Sequence, residues 1–273
     1  MPKVPDLDAL AREMKVAQDA ARHVELFTER LPDFDLETAY DVANRIHRAR
    51  VAEGARPVGR KIGFTNSTMW ARYGVRAPIW AHVYDTTVVQ LRDTRTSCGL
   101  ARFVEPKIEP EIVLHFCRTP ALDASPETLL GCIDWVAHGF EIVQSHFRGW
   151  KFQAPDTVAD WALHGALLVG PAQPVATLGK DLAAALEDFT VVLSRNGQEQ
   201  EVGKGANALG SPLAAVAHLI SVLATQPHAA PLRADELVTT GTLTAARTVR
   251  AGETWQSALR GIGLPGLAVT FSD

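Results

Sequence analysis

The chain has 273 residues, 47% hydrophobic and 21% charged, which suffices for one large domain or a small one joined to a larger one and excludes a disordered chain or an array of membrane spans. Its formal net charge is −4, with Lys and Arg scattered, so no electrostatic footprint for nucleic acid or anionic lipid is present and a small molecule is the expected partner, with no nucleic acid and no membrane. Cys98, Cys117 and Cys132 lack a Cys-x-x-Cys spacing, which argues against a disulfide framework or a zinc site and fits a reducing compartment.

The opening MPKVPDLDALAREMK is charged throughout and lacks the apolar centre of a secretion signal, and no run of about 18 apolar residues stands out, so a cytoplasmic protein is expected. From Leu7 to about Arg30 apolar residues recur at helical spacing. DLETAYDVANRIHRAR then predicts a second helix, with Asp35 as N-cap and Leu36, Tyr40, Ala43 and Ile46 on one stripe. From Gly59 to about Val89, Gly, Pro, aromatic and polar residues mix without a period, which predicts loops that line a site. After Phe103 the period turns to two, and strands are expected at IEPEIVLHF, FEIVQ, GALLVG, FTVVLS, ELVTTGTLT and LAVTF. Asn196-Gly197 between two such runs predicts a tight hairpin, because both residues readily take positive φ. Ser211-Pro212 predicts a helix start, with Leu213, Val216, Ala217, Ile220 and Leu223 along one face. The expected class is α+β, with residues 1–58 a helical N-terminal segment and residues 59–273 a β-rich catalytic body, the two forming one continuous domain.

Glu109 and Glu111 stand two positions apart in IEPEIVLHF. Alternate side chains of a strand share a face, so these two point one way while Ile108, Ile112, Leu114 and Phe116 point the other. Their Cα atoms are then roughly 6.5–7 Å apart, near enough for both carboxylates to reach one ion. Two anions so placed in a buried setting need a proton or a cation between them, and a divalent metal answers that need. Taken alone, the pair also fits a half-exposed strand whose glutamates face water. Glu141 in HGFEIVQSHF reads either as a third ligand or as a salt-bridged strand residue. Three carboxylates with no Cys or clear His favour a hard cation, Mg²⁺ or Mn²⁺. Pro110, lacking an N–H, suits an edge strand or a bulge. Lys61, between Gly59 and Gly63, reads either as an inward amine with a pKa lowered by a cation and by burial, or as an ordinary surface lysine. Trp80, Trp161 and His82 read as a narrowed pocket or as packing, and His146 and His164 as structural histidines or proton carriers.

Taken in order, VGRKIGFTN, EPKIEPEI, FEIVQSHFRGWKF with DTVAD after it, ANALGSPLAAVAHL and TTGTLTAARTVRAGE span nearly the whole chain. Together they resemble the fumarylacetoacetate hydrolase superfamily, and within it the branch of 2-oxopent-4-enoate hydratases and 4-oxalocrotonate decarboxylases of aromatic catabolism. The resemblance implies a body built around a mixed, rolled sheet and a homo-oligomer, able to form a complex with a pathway partner enzyme. It implies Mg²⁺ held by Glu109, Glu111 and Glu141, with Lys61 as the catalytic residue. It further implies substrate contacts from Thr65, Asn66 and Ser67 and from Gly241 and Thr242, to which the bulk of Trp80 adds an expected pocket contact. The implied activity is that of a metal-dependent lyase acting on 2-oxo-enoic acids, with hydration of a 2-hydroxy-2,4-dienoate first and decarboxylation of a 4-oxalocrotonate-like acid second. After the loop proline the chain reads Ala77-Pro78-Ile79-Trp80-Ala81, closer to the decarboxylases than to the acidic residue of the hydratases. Two further readings remain: C–C hydrolysis of acylpyruvates, which needs a carboxylate–His pair for which no clear motif is seen, and a non-enzymatic partner in a hydratase–decarboxylase complex.

Overall fold

The structure is a computed structural model that describes residues 6–67, 70–227 and 229–273, so Met1–Pro5 of the charged opening stretch lie outside the described residues. In chain order come α1 (Leu7–Asp19), α2 (Phe27–Arg30), α3 (Leu36–Ala52), β1 (Pro57–Gly63), α4 (Trp70–Tyr73), β2 (Ile79–Tyr84), β3 (Val88–Gln90) and β4 (Arg95–Gly99). Next are β5 (Lys107–Phe116), α5 (Pro126–Leu130), β6 (Ile133–Val143), α6 (Ala154–Ala159), β7 (His164–Val169), β8 (Gln173–Pro174) and α7 (Leu182–Asp188). The chain closes with β9 (Thr190–Arg195), β10 (Gln198–Lys204), α8 (Pro212–Thr225), β11 (Glu236–Thr239), β12 (Arg247–Thr248), β13 (Thr254–Arg260) and β14 (Ala268–Ser272).

One mixed sheet runs β2-β1-β11-β5-β6-β7-β3, with β12 added to β5 and β8 to β6, and a second runs β10-β9-β13-β14-β4. The long central pair β5–β6 is antiparallel and holds its register from Lys107↔Val143 to His115↔Trp135. On one face of β5, Ile112, Leu114 and Phe116 enter a core shared with α7, α8 and β9, while Ile108 packs with Phe140, Trp255, Val269 and Phe271 against the second sheet. That alternation frees the opposite face for Glu109 and Glu111. A separate apolar cluster joins α1, α3 and α6 to Ile79 and Ala81 of β2, so the N-terminal helices brace the edge of the sheet beside β1.

Several local expectations match the structure. The Asp35 side chain accepts from Thr38 N at 2.9 Å and Ser211 Oγ from Ala214 N at 3.0 Å, each satisfying an N–H that the first helical turn leaves free. Asn196 and Gly197 take φ of 51° and 79°, the turn that matches hairpin twist. Residues 205–225 are apolar enough by length and composition to cross a membrane, yet Leu213, Val216, Leu219, Ile220 and Leu223 of α8 are core residues.

Others are corrected. The first helix stops at Asp19, because Ala21 takes a positive φ of 47° and the chain runs extended before α2. The segment 59–89, expected to be loops, holds β1, β2 and β3. β1 and β2 are buried on both faces for most of their length, which erases the period of two that marks a half-exposed strand. Pro110 is at neither an edge nor a bulge. Its carbonyl accepts from Leu243 N at 2.9 Å, in the gap between β11 and β12 along β5. A residue's N and O point to the same side of a strand, so the missing N–H falls where the ladder is interrupted and costs no sheet hydrogen bond.

Candidate metal centre

Glu109 lies directly opposite Glu141 across the β5–β6 ladder, and Glu111 lies opposite Gly139, where an added Cβ would press on Val113 and the Leu168 carbonyl. The three glutamates bring one carboxylate oxygen each to within 4.8 Å of one another. Glu111 and Glu141 are fully buried and Glu109 half-buried. Thr239 Oγ1 and Gly241 N, the latter at 3.0 Å, both donate to Glu111 Oε2. The backbone carbonyl of Glu111 is bonded to His138 Nδ1 at 2.9 Å. Burial pushes that imidazole down to about 4 and keeps it neutral, with Nε2 on Ser257 Oγ at 2.8 Å.

Lys61 reaches the cluster from β1, its Nζ 3.3 Å from Glu141 Oε2 and donating to Ala162 O at 2.9 Å. That carbonyl is presented by an unusual turn in which Trp161, Ala162 and Leu163 take φ of 55°, 47° and 66° in succession. Left-handed non-glycine residues cost of order 1 kcal/mol each and persist where surrounding contacts impose them. The turn also delivers His164, whose Nδ1 donates to Glu141 Oε1 at 2.7 Å while Nε2 meets Thr87 Oγ1 at 2.9 Å. One oxygen of Glu141 is thus fixed by an imidazole, and the other faces the Lys61 amine inside the cluster.

Burial raises Glu109 to about 7, against the pull of Lys61 and with the help of Glu141. Burial, then the charges of Glu141 and Glu109, raise Glu111 well above the carboxylate range. Burial acts on Glu141 in the same direction, but Lys61 and the His164 hydrogen bond outweigh it and hold Glu141 low. Among the protein's own groups the Lys61 amine is raised. Burial lowers it, yet the charges of Glu141, Glu109 and Glu111 together raise it. Glu111 Oε1 is buried without a hydrogen-bond partner among the described residues, and Glu141 Oε2 has the Lys61 amine at 3.3 Å. A buried carboxylate oxygen left open on Glu111, beside two further glutamates, fits a hard divalent cation, which would offset their mutual repulsion.

The model of the fumarylacetoacetate hydrolase C-terminal domain matches residues 71–268. The chain belongs to this family. A 2-keto-4-pentenoate hydratase of Paraburkholderia xenovorans (strain LB400) is 30% identical over 256 residues, covering 93% of this chain and 91% of that protein. A 4-oxalocrotonate decarboxylase of Pseudomonas sp is 31% identical over 225 residues, covering 81% of this chain and 82% of its own. Among solved structures, a 4-oxalocrotonate decarboxylase from Pseudomonas putida G7, complexed with magnesium and adipate, superposes with a TM-score of 0.88 at 27% identity over 98% of this chain and 99% of that one. The expected α+β fold with its rolled sheet is that of the family, and the named relatives are lyases, in accord with the enzyme class expected from the sequence.

Within this family fold, the residues singled out by sequence divide into three groups. Glu109, Glu111, Glu141 and Lys61 form the cluster. Thr65 and Gly241 sit beside it: Gly241 takes φ 95° and packs so closely on Thr65 that a methyl group there would overlap the threonine hydroxyl. Asn66 and Ser67 follow on the exposed loop, and Thr242 Oγ1 donates to Thr244 O at 2.8 Å. Trp80 is elsewhere. Lys61 pairs with Ala81 in the β1–β2 ladder, so Trp80 projects from the other face of β2, stacks on Tyr40 and donates Nε1 to Gln226. Its neighbour Ile79 takes the Lys61 side, packed against Gly63.

Thr239 and the Ala162 carbonyl are site groups that sequence spacing did not reveal. His164, read as either structural or a proton carrier, orients a glutamate 23 residues away. The structure also supplies two carboxylate–His pairs where no motif was visible, Glu141–His164 and Asp160–His146, each with 2.7 Å between the bonded atoms.

Proposed function

We propose that this protein is a divalent-metal-dependent lyase of small 2-oxo-enoic acids, working with Mg²⁺, or Mn²⁺ in its place, and hydrating a 2-hydroxy-2,4-dienoate to a 4-hydroxy-2-oxo acid. The observation that carries the reading is the triad of carboxylates, two of them fully buried, with an open oxygen on Glu111 and the Lys61 amine against Glu141. Glu109, Glu111 and Glu141 would hold the cation, which when bound supplies Lewis acidity for a carboxylate and 2-oxo oxygen of the substrate.

The rest falls to the chain's own groups. Thr239, Gly241 and His164 fix the ligand oxygens so that little reorganisation is needed on binding. Lys61 is placed to give and take a proton at the reacting end. A cation among the three glutamates would cancel the charges that raise its pKa and leave burial to lower it toward the working range. The Thr65–Ser67 loop and Gly241-Thr242 would receive the substrate carboxylate. We assign the protein to the cytoplasm, as a homo-oligomer open to complex formation with a pathway partner.

Ile79 supports a second reaction on the same site. A hydrocarbon side chain faces the Lys61 side where an acid would assist the addition of water, and an apolar wall favours loss of CO₂ from a vinylogous carboxylate. Incubating the purified protein with 2-hydroxypenta-2,4-dienoate and separately with 4-oxalocrotonate, with Mg²⁺ or with EDTA, tests both. A Mg²⁺-dependent gain of water by mass supports hydration, and CO₂ release supports decarboxylation. No reaction of either acid with metal bound would overturn the substrate class.

A further inference from the structure

Along the site face of β5 the alternate side chains read Lys107, Glu109, Glu111 and Val113, and exposure rises toward the first of them. Glu111, Glu141 and Lys61 are buried, while Glu109 and Lys107 are half-buried. Lys61 stands at the other end, since it pairs with Thr239, and Thr239 pairs with Val113. The cluster therefore lies between two lysines, one sealed against Glu141 and one on the side from which solvent enters.

Lys107 is a held side chain. Its backbone is paired with Val143 of β6 and Thr248 of β12, and its Nζ stands 3.7 Å from the centroid of the Trp150 ring. Glu105 fixes that ring. Its carbonyl accepts from Trp150 Nε1 at 3.0 Å, its carboxylate accepts from Gly149 N at 3.0 Å, and His23 Nε2 lies 2.9 Å from its Oε1. Glu105 and Trp150 take φ of 46° and 57°, left-handed values that non-glycine residues keep where surrounding contacts impose them.

The carboxylates whose charge Lys107 feels are those of Glu109 and Glu105. The first belongs to the cluster, and the second is engaged by Gly149 and His23. Among the described residues no ion pair holds the Lys107 amine, so the indole face is its partner and its N–H donors remain for a ligand. Successive side chains on one strand face lie roughly 6.5–7 Å apart, and an extended six-carbon chain with bonds of about 1.5 Å spans roughly 6 Å. An acid held at the cluster by its 2-oxo end can thus bring a carboxylate at its far end to Lys107.

We propose that Lys107, stacked on Trp150, is a specificity-determining residue that contacts the second carboxylate of a dicarboxylic 2-oxo acid bound at the cluster. The inference rests on the 2-oxo acid reading and narrows it to dianions. An uncharged far end leaves the half-buried amine with the ring alone, whereas a carboxylate there accepts a charge-assisted hydrogen bond.

The probes are 2-oxohexanedioate and 2-oxohexanoate, which share chain length and 2-oxo head, lack the double bond of an enoic acid, and differ in the far carboxylate. Each is titrated by calorimetry into the full chain with saturating Mg²⁺, so binding is read without turnover. Wild type should bind the diacid at least about tenfold tighter than the monoacid. Lys107→Met keeps a side chain that packs on indole, and should bring the two acids to within about twofold while leaving the affinity for the monoacid unchanged. Lys107→Gln serves if Lys107→Met does not fold, and Lys107→Arg should keep the preference. Weaker Mg²⁺ binding cannot produce this result, because removing a cation beside Glu109 favours a bound metal. Arg148→Met, which removes an exposed cation from the same turn, should also keep the preference. Equal affinities in wild type, a preference that survives in Lys107→Met, or one lost equally in Arg148→Met would each overturn the role of Lys107 alone. Binding of neither acid would overturn it together with the 2-oxo acid reading.

Discussion

Replacing Glu111 by Gln removes one charge from the cluster while keeping the side-chain shape and an oxygen for the Thr239 hydroxyl and the Gly241 N–H. Carboxylate oxygens within 4.8 Å repel by roughly 3 kcal/mol per ionised pair at an effective dielectric constant of about 20. Attraction to Lys61 and partial protonation reduce the net effect, so the metal-free variant should gain about 1–3 kcal/mol of stability at pH 8. The pH dependence has a definite sign. Glu111 and Glu109 have folded pKa values above the unfolded value of 4.5, so the folded state binds more protons in that window. Stability of the metal-free protein therefore falls as pH rises from about 4.5 through 7, and the gain from Glu111→Gln should be near zero at pH 5 and larger at pH 8. Urea denaturation in EDTA at the two pH values measures this, and a thermal scan with Mg²⁺ adds the complement: the metal-induced rise in Tm should shrink in the variant. Equal midpoints at pH 8 with an undiminished Mg²⁺ response would refute the view that Glu111 is a repelled carboxylate awaiting a cation.

Lys61→Met should abolish turnover yet keep the Mg²⁺-induced rise in Tm, because the amine is paired with the cluster without belonging to the ligand set; a lost metal response would contradict this. Gly241→Ala places a methyl group into Thr65 at φ 95°, and should cost about 2 kcal/mol or more in urea while weakening Mg²⁺ binding by calorimetry, since the N–H that holds Glu111 must move. Ser211→Ala should cost about 1 kcal/mol through the lost cap of α8 and leave kcat unchanged.

What could be read from the sequence was what depends on neighbours along the chain. Asp35 and Ser211 cap their helices because the bonded N–H lies three residues on, and Asn196-Gly197 turns because two adjacent φ angles are positive. Glu109 and Glu111 share a face because a strand alternates. The rest required the fold. β1 and β2 lose their period because both faces are covered, and Pro110 is tolerated inside the sheet by a gap that β11 and β12 create from more than a hundred residues away. His164 and Thr239 act on the glutamates through contacts that register across strands decides. Trp80 shows the converse: one residue of alternation separates it from the Lys61 side, and its proximity in sequence to Ile79 says nothing of which face it takes.

The centre combines three features that each oppose folding: three carboxylates drawn together, a buried lysine, and a turn of three left-handed residues. Their cost is borne by different parts of the scaffold. The β5–β6 register fixes the glutamates without a choice of rotameric partners. β11 supplies a hydroxyl, and the loop after it an amide, to the most perturbed of them, and the turn at Trp161–Leu163 converts backbone strain into a carbonyl for Lys61 and an imidazole for Glu141. Relaxing that turn would release Ala162 and His164 together, so the amine and Glu141 would lose their orientation in one step. A strained segment that holds two partners of one ion pair is therefore a sharper lever on this site than either partner alone.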